Sequence, residues 1–314
     1  MAQSTTSSRS DNQVATSSTV GTGSYSQTAL EEQRKRADQQ MRPEVEEQRR
    51  KAQEEAEQSL DQEAIAAVDL TERAMMAISE NRIDEALSAI EQATGKINVL
   101  LNRNPATALI PVNLQVSVID TAPESIGDIA ILTDAASVAI EINDLPGARA
   151  LLDSVRSEIR VRTYNLPLAS YPSALQQAAR LVDQKKAREA GAVLLVALNT
   201  LAIVDQVVPL PLLLAREAVN AAQQRSQTDR EAAQQLLELA DHELERTLAL
   251  GYTAADEDYR TLRDTIKSLR KQLKSNEDTG SFFSSLKEKL ASLLRRRSEK
   301  RIQSDGKQQP SKAA

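Results

Sequence analysis

The chain has 314 residues with no cysteine, no tryptophan and only 2% aromatic residues. Disulfides, thiolate catalysis and cysteine-based metal sites are therefore excluded, and any core has to be aliphatic, made between closely spaced helices. The net charge of −6 is uneven: from Ser281 onward nine Lys/Arg stand against three Asp/Glu, leaving +6 there and −12 on residues 1–280, a balance that disfavours nucleic acid as the body's partner.

Residues 1–29 are Ser, Thr, Gln, Asn and Gly with hardly any apolar content, too little to offset the entropy of ordering, so they are expected to be a disordered arm. Residues 30–63 are dense in Glu, Gln, Arg and Lys and predict a solvated, partly helical arm interrupted at Pro43. The beginning, MAQSTTSSRSDNQ, has no apolar h-region, so a secretory signal is not expected. No stretch approaches the roughly 18 apolar residues of a membrane span, and the expectation is a cytoplasmic protein.

From Ala64 a helical pattern recurs four times, each copy holding a polar turn, then an alanine, then a second helix. The turns read NRIDEA, NDLPGA, KKAREA and QTDREA, with alanines at Ala86, Ala148, Ala190 and Ala232, spaced by 62, 42 and 42 residues. The first hairpin has seams at Ala64, Val68, Thr71, Met75, Ile78 and at Ala86, Ile90, Ala93, Ile97, Leu100, stepping by three and four as one helix face requires. In LIPVNLQVSVID the period changes to two: Val112, Leu114, Val116 and Val118 alternate with polar residues, predicting a strand. Its expected partner is EIRVRTYNLPL, making a two-stranded element, and this insertion accounts for the longer first step.

The second hairpin is expected to open with a capping box of Thr121 and Glu124 and to bury Ile131, Ala135, Val138 and Ile142, then Ala148, Leu152, Val155 and Ile159. Asp144 before Pro146 suits a helix restart. The third hairpin presents Ala174, Ala178, Leu181 and then Ala187, Ala190, Leu194, Ala197, Leu201. The fourth presents Leu212, Ala215, Val219, Ala222 and then Ala232, Leu236, Leu239 behind a second box, Thr228 with Glu231. Gly251 is placed to end that helix with positive φ. A further helix carries Tyr259, Leu262, Ile266, Leu269 and Leu273 on one face. The fold class is thus mostly α: a bundle of antiparallel helical hairpins with a small β element. A TPR array is the alternative, but its 34-residue period does not match 42. The domain over 64–274 is followed by a polar linker at 275–280, a basic amphipathic helix at 281–301 and a polar tail at 302–314.

No catalytic constellation appears. The motifs GxSxG, GxxxxGK[ST], HExxH and GxGxxG are all missing from the sequence, and one histidine, His242 between Asp241 and Glu243, cannot build a zinc site. An enzyme, a metal and a cofactor are not expected. The proline-rich loops at Pro167, Tyr171, Pro209 and Pro211 read first as stiff connectors, and otherwise as lining for a groove at one end of the bundle. In SFFSSLKEKLASLLRRRSEKR, Phe282, Phe283, Leu286 and Leu290 lie among Lys287, Lys289, Arg295, Arg296 and Arg297. Such a helix suits an anionic membrane surface or docks on the acidic body.

In order, LIPVNLQVSVID, NLPLASYPSAL, KKAREAGAVLLVALNTL, VVPLPLLLAREAV and ALGYTAADEDYRTL resemble the YfdX family over roughly residues 64–273. The resemblance implies a mostly helical fold with a small β element in poorly characterised bacterial proteins associated with acid and drug stress, without established enzymatic activity. Members generally carry an export signal, which this chain departs from, as it does by its polar arm and basic tail. The resemblance transfers no functional residues. The functional expectation is a non-enzymatic, stress-associated helical protein that binds protein clients or small apolar molecules. The alternative is a peripheral membrane protein held by its basic helix. A homo-oligomer is open, and nucleic acid is not an expected partner.

Overall fold

The computed structural model describes residues 43–103, 105–275 and 279–305, with side chains to Leu294. The polar arm at 1–29, the first part of the charged arm, the side chains of Arg295, Arg296 and Arg297 and the end of the tail lie outside the described residues. The chain runs α1 (43–58), α2 (Gln62–Ser79), α3 (Ile83–Arg103), β1 (Leu109–Asp120), α4 (Ile126–Glu141), α5 (Leu145–Asp153), β2 (Ser157–Pro167), α6 (Tyr171–Asp183) and α7 (Ala187–Asn199). It continues through β3 (Ala202–Pro209), α8 (Leu210–Arg225), α9 (Arg230–Ala249), α10 (Glu257–Ser275) and α11 (Gly280–Asp305). The fold is mostly α.

Three of the four recurrent turns are built the same way. Asn81, Asn143 and Lys185, each five residues before its alanine, have φ of 59°, 60° and 62°. At each, the residue's N–H donates three residues back and the next N–H donates five back: Asn81 to Ile78 and Arg82 to Ala77, Asn143 to Ile140 and Asp144 to Ala139, Lys185 to Val182 and Lys186 to Leu181. This pair of bonds is the Schellman closure, which satisfies the last carbonyls of a helix through one left-handed residue. The alanine then sits in the first turn of the next helix, where Ala86, Ala148 and Ala190 are all buried. A small side chain there lets the two helices meet closely. The fourth turn has no left-handed residue. Asp229 caps α9 instead, accepting from the Ala232 N–H at 3.0 Å, and the buried residue moves one place on, to Ala233.

Since a left-handed backbone costs a side-chain-bearing residue about 1–2 kcal/mol, with Asn tolerating it best, Lys185 is the strained member. Lys185→Gly is expected to stabilise the protein by about 0.5–1 kcal/mol after the extra freedom of unfolded glycine is subtracted. A lower urea midpoint for this variant would contradict it.

Two four-helix sets flank a sheet. In the first, α2 packs on α3, α6 on α7, α2 on α7 and α3 on α6, around a cluster in which ten of 22 buried residues are alanine; that share keeps the axes close. In the second, α8, α9, α10 and α11 close a ring, with α11 returning to α8. The seams expected on α3, α8 and α10 are all buried. The sheet has three strands, not the two expected, in the order β1-β2-β3, all antiparallel. β1 pairs β2 as expected, with a bulge at Val112. The added strand is the segment read as a connector before Pro209. Its run AIVDQVVP puts apolar residues on both faces, so alternation does not mark it, and Pro209 is tolerated as the last residue of an edge strand.

Each of the first three hairpins is therefore followed by a strand, and a single insertion does not explain the 62-residue step. The cause is chiefly helix length: α3 has 21 residues and α5 only 9.

The second hairpin departs most from expectation. Ile131, Val138 and Ile142 are exposed, and α4 buries Ile129, Ala136 and Ala139. Its cap is Ser125, which accepts from the Asp128 N–H, whereas the Thr121 hydroxyl donates to the Asp153 carbonyl. Helix α5 stops at Asp153, leaving Leu152 exposed and passing Ile159 to β2. The physical reason is position. Among the principal packings, α4 meets α5 and α9 and neither four-helix set covers its outer side.

Candidate functional site: an apolar slot between α1 and the sheet

β2 is the central strand, and its alternation gives the sheet two unlike faces. On one, Val161 and Thr163 line a space together with Leu109 and Pro111 of β1 and Val204, Gln206 and Val208 of β3. Helix α1 lies across them, presenting Ala52, Glu55 and Ala56, and a slot of about 480 Å³ remains between. The gap follows from side-chain size. The helix turns alanines toward β-branched valines, and methyl groups alone leave space that longer side chains would fill to interior packing density. Val45 anchors one end on the cluster of Ile159, Leu210 and Leu213, helped by an Arg216–Glu44 ion pair at 3.3 Å. At the other end the Asp61 N–H donates to the Pro111 carbonyl at 3.2 Å. Sequence reading missed this helix as a wall, because it carries too few large apolar residues for a stripe. The available signal was Val45, Ala52 and Ala56 at spacings of seven and four.

The opposite face of β2 carries Glu158, Arg160 and Arg162, which with Arg156, Asp205 and Tyr252 border an open cleft of about 510 Å³. Arg162 grips Asp205 with both a 2.8 Å bond from Nε and one from Nη2, and that carboxylate raises the guanidinium's pKa. Arg160 Nε donates to Glu158 at 3.0 Å. The other Glu158 oxygen accepts from the Tyr252 hydroxyl at 2.9 Å, which in turn accepts from the Ser157 N–H. Arg156 pairs with Asp153 at 2.6 Å. Three arginines thus meet three carboxylates within the chain, a bonded set that ties β2, β3 and the 250–252 turn together. It presents no nucleophile with a base, and among the described residues no group of His, Cys, Asp and Glu could hold a metal ion.

Burial pushes the Tyr171 phenol up to about 12 and raises those of Tyr252 and Tyr259 too. A raised folded pKa keeps the proton on in the native state. These groups therefore contribute stability that is complete below about pH 10 and is lost as pH climbs through the folded values. An absorbance titration is expected to show Tyr171, Tyr252 and Tyr259 ionising late and, on the same ramp, stability falling above pH 10. Uniform ionisation near pH 10 in the folded protein would contradict this.

The proline loops do not share one groove. Pro167 pairs with Leu109 at one end of β2, and Pro209 pairs with Glu158 at the other. Pro209 borders the ionic cleft, and Pro211 is buried in the first turn of α8. Tyr171 is buried under a shallow α6–α7 groove of about 380 Å³ with Ala174, Val193 and Val196. The tail helix docks: Phe283, Leu286, Leu290 and Leu293 are buried and Phe282 half-buried, on the side where α11 meets α8, α10 and β3. His242 is half-buried on α9. No helix among the described residues is long and apolar enough to cross a membrane.

In comparison with known proteins, the YfdX protein family matches residues 67–207, which is α2 through most of β3. The segments VVPLPLLLAREAV and ALGYTAADEDYRTL fall almost wholly beyond that span, a narrower match than the 64–273 expected. Among solved structures, that of Salmonella Typhi YfdX is similar at 19% identity and a TM-score of 0.33, covering 48% of this chain and 93% of that one. No curated protein matches.

Proposed function

The chain belongs to the YfdX family over residues 67–207, and on that footing we propose that it is a non-enzymatic, stress-associated binding protein that sequesters small apolar molecules. The observation that carries this reading is the slot between α1 and the sheet. It has the volume of a small-molecule site and a mainly apolar lining of Ala, Val, Leu and Pro, with Glu55, Ser59, Thr163, Asn165 and Gln206 as its polar groups. The family segment supplies most of the floor, including Val161 and Val204, while the wall is α1, which precedes it. A ligand there gains by removing valine and alanine surface from water, at about 25 cal/mol per Å², and needs no charge.

Nile red, a neutral apolar dye, is expected to bind the wild-type protein with a blue-shifted emission. Ala52→Leu with Ala56→Leu fills the slot, and binding should fall at least tenfold while thermal stability is kept or raised. Dye binding that survives the filled slot, or a wild-type protein that takes up no apolar probe, rejects the reading.

A peripheral membrane role through residues 281–301 is the second reading. It requires α11 to leave the body, because Phe283, Leu286 and Leu290, the residues that would enter the bilayer, are buried under it.

A further inference from the structure

The exposed side of α4, continued by its C-cap residue Ile142, carries an ordered apolar row. Ile131, Ala135, Val138 and Ile142 step by four, three and four, which places them within about 60° of one another on a helix of 3.6 residues per turn. Ile131, Val138 and Ile142 are 66%, 55% and 70% exposed. The residues α4 buries, Ile129, Ala136 and Ala139, lie on another side, so the helix satisfies its place in the fold without this row. A row with alternating four and three spacing is the seam that receives knobs from a second helix. At 1.5 Å per residue it is about 16 Å long, three turns.

The margins of the seam specify the partner. Asp134 and Glu141 lie along one side and Asp128 along the other, and the following turn adds Asp144; the first cation after them is Arg149. An anionic bilayer is repelled by this border. A second copy of the chain seated seam to seam would set two acidic margins against each other.

We infer that the α4 seam is a docking site for an amphipathic helix whose apolar row is flanked by Lys or Arg. Such a helix places leucine-like side chains between Ile131, Ala135, Val138 and Ile142 and its cations against Asp134 and Glu141, in the helix-in-groove manner. The site is separate from the slot under α1 and does not depend on that reading.

The test titrates the full-length protein with a synthetic 18-residue helix of leucine and lysine in amphipathic order, a scrambled peptide of the same composition, and the ordered peptide with glutamate for lysine. The ordered lysine peptide is expected to bind at least tenfold more tightly than either control. Val138→Asn, at an exposed position where both residues have similar helix propensity, should weaken it at least tenfold, and Asp134→Lys with Glu141→Lys at least threefold. Equal binding of the scrambled peptide, or affinity unchanged in Val138→Asn, overturns the proposal. So does sedimentation showing a wild-type dimer that Val138→Asn dissociates, which would assign the seam to a second copy.

Discussion

Replacing Arg246 by alanine is expected to destabilise the protein by about 3–5 kcal/mol, the range for breaking a buried ion pair from one side. The side chain is 2% exposed on α9. Its Nε donates to the Pro123 carbonyl at 3.1 Å and its Nη2 to the Ala122 carbonyl at 3.0 Å. It faces the buried Glu243 at 3.6 Å and the exposed Asp120 at 3.8 Å. Alanine removes the charge opposite a buried carboxylate and strips two carbonyls of their donors in one step. Because Ala122 and Pro123 lead into α4, the local effect should be as clear as the global one: amides from Asp128 onward should exchange faster. Arg246→Lys keeps the charge but not the planar fork, so an intermediate loss is expected. Arg246→Met with Glu243→Leu should recover only the part that comes from the uncompensated Glu243 charge, because methionine leaves the Ala122 and Pro123 carbonyls without their donor. A urea-derived loss below about 1 kcal/mol for Arg246→Ala would show that the contacts are not maintained in solution.

The second large effect concerns α11. Truncating a buried Phe or Leu to alanine typically costs about 2–5 kcal/mol, so Phe283→Ala with Leu286→Ala removes more than one docked end helix can spare. The loss of global stability is capped, because the chain can let the last helix go and keep the rest. The expected result is selective: proteolysis begins between α10 and α11 while the melting of the remaining helices shifts little. The released segment has Phe282, Leu290 and Leu293 on one side and Lys287, Lys289 and Arg295–Arg297 around them. Such a helix binds anionic surfaces. The variant should therefore co-sediment with phosphatidylserine vesicles, and the wild type should do so at least tenfold less. Equal vesicle binding by both would mean that docking does not compete with the membrane.

Both effects lie where side-chain pattern and tertiary setting disagree or agree most sharply. The α3 and α10 seams were legible because each helix is covered on one face, so spacing by three and four maps directly onto burial. Gly251 was legible for a local reason: φ of 74° at a helix end needs glycine, and backbone sterics do not depend on distant packing. For α4 the same spacing gave the wrong face. Its residues are apolar nearly all round, so periodicity names two possible sides, and the choice falls to whichever one α9 covers. The third strand and the slot were hidden in the same manner, one by apolar residues on both faces and the other by alanines too small to register as a stripe.

From the order of residues alone follow the mostly helical class, the paired helices, the turns with their buried alanines and the lack of any cysteine chemistry. These are local matters of period, backbone preference and composition. Which face of α4 is left bare, that Ala202–Pro209 joins β2, that α1 roofs an apolar slot and that Arg246 is enclosed beside Glu243 are products of long-range packing. Such contacts join residues up to 172 positions apart, as in the Arg216–Glu44 pair, and burial at that range is set by the other elements, not by a residue's own neighbours.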